Sequence, residues 1–572
     1  MSVSLRFRLW HAMAAIGLLW AAIYLPGLGL PELKGEEGRR ILPGLEMIES
    51  GEWIVPTMEG RPYLRKPPLI NWAIAASVKL TASRAEWAVR LPSTLAVLAL
   101  AFTAMVCGRE LIAGDGARQQ EKVRAGLLLG IVTLVNVGLI EKGRLAEIEA
   151  LYVALTGIAI GFWLLLWRKQ ASPWLTYTLP WVALGLGLLC KGPPHLVFFY
   201  GIVGSVLWKS RRLRELCHPA HFMGLITMAG LFGWWAWLCQ RRARILDPEQ
   251  EAGRTWIEQL THRLGFQQFD FLGWITSPFE ALLMLFPWII PLAAFWPRLG
   301  SLARRLGERD AAIVLGLRTG VLASGVLILL VPESRARFVQ PLTLPAMLLA
   351  ALILWHELPA LWHRTWTRLA VGLMAVLSLI GIALPVLLWQ SMPSSSDALV
   401  SAVLTLGAAV ALWRIWIRVR HVAQPLRLAL ATAFAACLLS ALAAATLFPA
   451  SRRHDNMRPV GTAISREVAP SLLAIFNPGR HPAPLHWRYY LTVPHVVVQK
   501  LSAVPAAAQF LCIDESDLHK TTETRVREQL GFSRTVSLVI DNEGRRFLLM
   551  TRPGETSSDS AIPTVRLPPS QR

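Results

Sequence analysis

The chain has 572 residues, of which 54% are hydrophobic and only 17% charged, with 24 tryptophans and a formal net charge of +21. So apolar a composition excludes an ordinary soluble globular protein and points to one that crosses a membrane many times. The basic residues collect in short connectors between apolar runs, at Arg109/Arg118/Lys122/Arg124, Arg168/Lys169, Lys209/Arg211/Arg212/Arg214, Arg298/Arg304/Arg305/Arg309, Arg364/Arg368 and Arg414/Arg418/Arg420. Every second connector is basic, the positive-inside pattern, so the charge reports topology and nucleic acid is not an expected partner.

Taken in chain order, the first apolar run, about 9–30, follows Arg6 and Arg8 and is longer than a signal-peptide core, so it reads as a retained first span. Runs of roughly 20 apolar residues, the length that crosses a hydrocarbon core, then recur at about 87–107, 125–140, 148–167, 174–190, 194–208, 221–239, 279–297, 311–331, 338–355, 368–389, 397–416 and 427–448. About thirteen spans with a cytoplasmic N-terminus put the C-terminal segment on the outer side. The expected fold class is therefore an all-α polytopic membrane domain over 1–448, followed by a small α/β domain over 449–572 on the periplasmic face. The expected location is a bacterial inner membrane.

Three outer regions are too long to be turns. In 31–86, "ILPGLEMIES" and "PPLINWAIAASVKL" have the pattern of short amphipathic helices at the interface, with the turn-like "MEGRPYLRKP" between them. The second, 240–278, is charged and aromatic. In the tail, "PVGTAISREVAPSL" and "LHKTTETRVREQLGF" have helical periodicity and "AQFLCID" reads as a strand. "VSLVIDNEGRRFLLM" reads as two strands joined at Asn-Glu-Gly, with a loose end expected after Pro553. The six cysteines show neither a disulfide framework nor metal spacing, and no GxGxxG or Walker pattern supports nucleotide handling.

Topology places five polar elements on the outer side. The first loop carries Glu36, Glu37 and Arg39; a carboxylate there can take a proton from an acceptor hydroxyl. Lys66 precedes Pro67-Pro68 at the corner where an interface helix begins. Arg144 and Glu149 flank the start of the fourth span, Lys191 interrupts apolar sequence in "LLCKGPPHLV", and Arg335 and Arg337 lie in "VPESRARFVQPLTLP". Cations near the interface can hold a lipid phosphate and stabilise the charge it gains on leaving. Arg318, within the ninth span, is expected to snorkel or to find a buried partner. Taken singly, each of these residues also reads as solvated charge or a local ion pair.

Together these motifs resemble the polyprenyl-phosphate-dependent, multispanning GT-C glycosyltransferases that include protein O-mannosyltransferases and the lipid A aminoarabinose transferase. "EEGRRILPGLEMIESGEWIVPTMEGRPYLRKPPLINW" is similar to the first outer loop of that family, and "EWAVRLPS", "RLAEIEALYVAL", "LCKGP", "LFPWIIP" and "ARFVQPLTLP" follow in the family's order. The likeness covers about 1–355. It implies that Glu36 stands at the catalytic aspartate, Glu37 beside it, and Lys66 at a donor-phosphate contact. It places Glu149 at a second acidic position, Lys191 at the Lys-Gly-Pro turn, and Phe338, next to Arg337, at a frequent tyrosine. It implies transfer of a sugar from a polyprenyl-phosphate donor to a glycolipid, glycan or protein. No His-rich metal cluster is visible, although the carboxylates could hold a divalent ion. Glu for Asp at 36 and 149, Arg40 for tyrosine, Pro43 within the following helix and Phe338 for tyrosine depart from the pattern. They leave open a reshaped site, a different sugar or an inactive relative; a lipid flippase or transporter is the remaining alternative.

Overall fold

The structure is a computed structural model that describes residues 8–246, 270–332, 334–388, 395–452, 455, 457–478, 486–518, 522, 524–540, 546–552 and 564–565. The chain divides into two compact units: residues 1–30 with 64–450, and residues 31–63 with 451–572. Helix α1 (Leu9–Tyr24) belongs to the first unit, whereas α2 (Gly38–Ser50) and the hairpin strands β1 (Thr57–Met58) and β2 (Arg61–Pro62) belong to the second. Residues 31–63, grouped by sequence with the membrane domain, thus pack with the C-terminal segment.

The first unit is helical: α3 (Leu69–Thr81), α4 (Glu86–Leu111), α5 (Gln119–Leu134), α6 (Val137–Gly143), α7 (Ile148–Arg168), α8 (Pro173–Lys191), α9 (His195–Lys209), α10 (Pro219–Leu246), α11 (Phe271–Leu283), α12 (Ile289–Ala294), α13 (Arg298–Ala303), α14 (Glu308–Leu329), α15 (Thr343–Leu352), α16 (Ala360–Leu387), α17 (Ser395–Val419) and α18 (Gln424–Leu442). Among the described residues nine helices are long and apolar enough to cross a membrane, or ten if the bent pair α5–α6, angled at 63°, forms one span. The chain is a multi-pass membrane protein. The first and sixth expected spans are the shorter apolar helices α1 and α9.

The expected span 279–297 is instead broken into α11, α12 and α13. Its two breaks coincide with Pro287 and Pro297, which remove backbone donors and interrupt helical pairing, whereas Pro291 lies in the first turn of α12, where the missing N–H needs no intrahelical partner. The break meets the one between α5 and α6. Val137 and Gly138 N–H donate to the Phe286 and Met284 carbonyls at 3.0 and 2.9 Å. The Trp288 indole donates to the Val135 carbonyl at 2.7 Å, and the Asn136 side chain accepts from Leu139 N–H to restart the helix. Backbone groups freed in hydrocarbon must be bonded within the protein, and here two interruptions satisfy each other.

Helices α9 and α14 approach through small residues. Gly316, Gly320 and Ser324 recur every four residues on α14, and a Cβ at Gly320 would lie 2.6 Å from the Gly201 carbonyl oxygen of α9. Lipid adds no hydrophobic drive between helices, so this backbone proximity supplies packing. Arg318 faces the Trp296 ring at 5.9 Å.

The second unit holds helix α19 (Met457–Val468) and a six-stranded sheet of order β4-β3-β5-β7-β6-β8, with β3 (Leu473–Phe476), β4 (His495–Val498), β5 (Phe510–Asp514), β6 (Arg534–Ile540), β7 (Arg546–Thr551) and β8 (Thr564–Val565). Strand β3 pairs parallel with β4 and β5, while β7 pairs antiparallel with β5 and β6. Alternation sorts the side chains: Leu473, Ile475, Phe510 and Cys512 pack with Val460, Ile464 and Val468 of α19, and Ala474, Leu511 and Ile513 pack with Val526 and Phe532. The expected helix over "PVGTAISREV", strand over "FLCID" and paired strands around Asn-Glu-Gly are present, and the turn 541–545 lies outside the described residues. Of "LHKTTETRVREQLGF", the described part contains one helical turn, Arg525–Gln529. The centre of the 240–278 loop and most of the segment after Pro553 also lie outside, although β8 pairs with β6.

Candidate functional site

Three residues expected from the sequence converge in the membrane unit. Glu149 stands in the first turn of α7, Lys191 is the last residue of α8, and Arg337 lies in the 3-10 turn Ala336–Leu342 that leads into α15. Helices α7 and α8 pack together and are joined by a short connector, so the start of one neighbours the end of the other. Gly192, at φ +97°, ends α8, and Pro193 and Pro194 follow it. The Lys191 ammonium is 3.2 Å from Glu149 Oε1, and Arg337 Nε is 3.8 Å from the same oxygen. Glu149 is only 7% exposed, so its charge is stable there through paired cations.

Aromatic rings flank the lysine. Lys191 Nζ lies 5.3 Å from the ring centroids of both Tyr152 and Phe338, within cation–π range. Phe338 thus has a role that needs no hydroxyl. Tyr152, one turn beyond Glu149, was missed in the sequence; its i+3 spacing was the available signal. Its hydroxyl donates to the Gly192 carbonyl at 3.3 Å, tying the turn that presents Lys191. Among the described residues at least two cations thus converge on this carboxylate, an arrangement that a further anion can share. Arg335 is exposed, two residues before Arg337, and Lys66 is half-buried in the turn before α3.

Arg144 is committed to structure. Its guanidinium donates to the Ile23 carbonyl at 2.7 Å, the Ser440 hydroxyl at 3.0 Å and the Pro26 carbonyl, closing the end of α1 against α18. Nearby, Lys142 pairs with Glu141 at 2.8 Å and Glu147 at 3.6 Å.

In the second unit, Glu36 keeps a partly exposed carboxylate, held by Arg39 at 3.0 Å and Arg40 at 3.3 Å. Glu37 is fully buried, and its Oε2 accepts from Lys34 N–H at 2.8 Å, fixing the turn into α2. Arg39 and Arg40 thus fix the direction of Glu36. Sequence reasoning passed over Glu46. Its carboxylate accepts from Glu59 N–H at 2.7 Å and Gly60 N–H at 3.3 Å, and is paired with the buried Arg488 at 3.2 Å. Glu59 and Gly60 both take positive φ, the two-residue turn that suits a tight hairpin. Glu32 accepts from the Met457 N–H at 2.5 Å and from the Arg458 N–H, capping α19, and Tyr490 accepts from Leu33 N–H at 2.9 Å. Among the described residues no group of three or more His, Cys, Asp or Glu side chains is placed to hold a metal.

The family model of dolichyl-phosphate-mannose-protein mannosyltransferases matches residues 65–237. Among curated proteins, the undecaprenyl phosphate-α-4-amino-4-deoxy-L-arabinose arabinosyl transferase of Shewanella sediminis is 32% identical over 124 residues, 22% of each chain. Its counterpart from Edwardsiella ictaluri is 26% identical over 211 residues, 35% of this chain and 36% of the relative. The alignments thus span between about a fifth and about a third of the length of these relatives. The crystal structure of ArnT from Cupriavidus metallidurans bound to undecaprenyl phosphate superposes with a TM-score of 0.64 at 15% identity, covering 94% of this chain and 97% of that one. In fold, and by the family match over 65–237, the resemblance to the GT-C superfamily of polyprenyl-phosphate glycosyltransferases holds.

Proposed function

We propose that this chain is an integral membrane glycosyltransferase that moves a sugar from a polyprenyl-phosphate donor to a hydroxyl or phosphate acceptor. The acceptor is a lipid A-like glycolipid, another glycan or a protein at the periplasmic face of the bacterial inner membrane. The observation that carries this reading is the convergence of Lys191 and Arg337 on Glu149. The relatives whose names specify undecaprenyl phosphate support the donor class.

In the proposed reaction the acceptor oxygen attacks the anomeric carbon as the carbon–oxygen bond to phosphate breaks, inverting configuration. The bonding pair leaves with the phosphate, a stable anion, so no carboxylic acid has to protonate the leaving oxygen as in cleavage between two sugars. Lys191 and Arg337, with Lys66 and Arg335, stabilise the charge that develops on it. Glu149 holds two of these cations in register and orients the sugar or acceptor. Glu36 takes the acceptor proton, Arg39 directs its carboxylate, and Glu37 fixes the turn that carries it. The transporter alternative predicts charged residues near mid-membrane together with paired broken helices. The breaks are present, but residues 133–140 and 282–292 hold no Asp, Glu, Lys or Arg.

The test uses purified protein in lipid, radiolabelled polyprenyl-phosphate sugars and a membrane-lipid extract. Glu36→Gln is expected to bind donor but not transfer, whereas Lys191→Gln loses donor binding. Transfer by both variants at the wild-type rate would overturn the assignment.

A further inference from the structure

At the other end of α7 and α8, about 27 Å from Glu149 along α7, a cavity of about 310 Å³ opens between Trp167, Tyr177, Arg212, Glu215, His218 and Arg309. That separation is close to the hydrocarbon thickness, so the cavity and the Glu149 cluster lie at opposite membrane faces. We propose that this cavity binds the phosphate-bearing headgroup of an anionic phospholipid of the opposite, cytoplasmic leaflet.

Charge balance is the first support. Glu215 is already satisfied: its Oε2 accepts from the Trp167 indole at 3.1 Å and the Tyr177 hydroxyl at 2.9 Å, and its Oε1 from Arg212 at 3.3 Å. Arg212 gives one donor to Glu215, and Arg309 gives one to the Trp167 carbonyl at 2.8 Å. Among the described residues no other protein acceptor is bonded to either guanidinium, each of which has five N–H donors. The neighbouring Arg168 shows the contrast, with Asp115 at 2.8 Å and Asp310 at 2.5 and 2.9 Å. Arg168 has two carboxylates, whereas of the two arginines facing the cavity only Arg212 is paired with one, the already bonded Glu215. Basic pockets between spans on the cytoplasmic side suit anionic headgroups.

The second support separates a lipid from a free anion. Trp174, at the start of α8 and 51% exposed, meets the His218 ring of the cavity wall edge-on at 6.2 Å, and Leu213, next to Arg212, is 46% exposed. These exposed apolar side chains beside the cavity give acyl chains a surface that an inorganic ion does not use.

The experiment measures lipid retention by native mass spectrometry and thermal unfolding on the full chain in detergent. Phosphatidylglycerol, phosphatidylcholine and inorganic phosphate are compared at equal concentration. Wild type is expected to retain phosphatidylglycerol and to melt higher with it than with phosphatidylcholine. Arg212→Gln, a change at an exposed residue that leaves the fold intact, is expected to weaken retention about tenfold, as for one lost charge-assisted contact. Arg212→Gln/Arg309→Gln is expected to abolish the preference. Equal retention in wild type and both variants would overturn the proposal. So would a shift with inorganic phosphate as large as with the lipid, which would mark a simple anion site. Because the readout is binding at the face opposite the Glu149 cluster, it succeeds or fails independently of sugar transfer.

Discussion

Replacing Glu46 by alanine is expected to open the β1–β2 hairpin. The carboxylate holds two turn amides and the buried guanidinium of Arg488, and it is itself 9% exposed. Removing one member of a buried pair costs about 3–5 kcal/mol, because the remaining charge is left uncompensated. Here Glu59 Oε1, 4.0 Å from Arg488, retains part of the attraction, so the lower end applies, about 3 kcal/mol. At 1.4 kcal/mol per factor of ten, the Tyr63 amide, bonded to the Pro56 carbonyl across the hairpin, should exchange roughly a hundredfold faster. Glu46→Gln keeps one acceptor oxygen for Glu59 N–H and loses the charge and the longer bond from Gly60 N–H, so about tenfold is expected. Hydrogen exchange with mass spectrometry on the full chain in nanodiscs reads both. Exchange over 56–63 at the wild-type rate in Glu46→Ala would refute the idea that this network holds the hairpin.

Glu149→Gln should weaken donor binding less than Lys191→Gln does and lower transfer between about tenfold and a hundredfold, since Lys191 and Arg337 keep their charges but lose the group that sets their positions; single-turnover assays with labelled donor separate the two effects. Gly320→Val should destabilise the α9–α14 contact by about 3 kcal/mol through overpacking against the Gly201 carbonyl. Gly372→Ala, within α16 and with nothing within 4 Å of the new Cβ, should leave the melting temperature unchanged or slightly raised. In intact spheroplasts a membrane-impermeant maleimide should leave Cys217, exposed between α9 and α10, unlabelled, and it should label Cys217 in inverted vesicles; the reverse would overturn the proposed topology. Burial pushes the Cys512 thiol up to about 12, so in the native protein at pH 8 it should not react from either side, and denaturation should release it.

Most of the membrane unit was legible because a span is a local signal: apolar length and flanking charge suffice, without knowledge of neighbours. The exception, 279–297, carried its own warning in Pro287 and Pro297, which an average over apolar residues conceals. The Glu149–Lys191–Arg337 cluster followed from placing three charged segments on one face, although the 3.2 Å pairing and the flanking Tyr152 required the packing of α7 against α8. Arg144 resembled the cluster residues in sequence and serves as a structural clasp, because nothing local distinguishes a cation facing carbonyls from one facing a ligand. Strands β3 and β4 are four residues each, too short for alternation to stand out, and Glu46 with Arg488 left no local trace at all.

Glu46 and Arg488 are separated by 442 positions in the chain. At synthesis rates of about 5–20 residues per second, Glu46 emerges between about 20 and 90 seconds before its partner exists. During that interval Glu46 has only the hairpin amides to bond, and Glu32 has no helix to cap. The loop carrying Glu36 can therefore acquire its final shape only when synthesis is nearly finished, so, on the function proposed above, a chain cut short anywhere before α19 would be inserted in the membrane yet inactive.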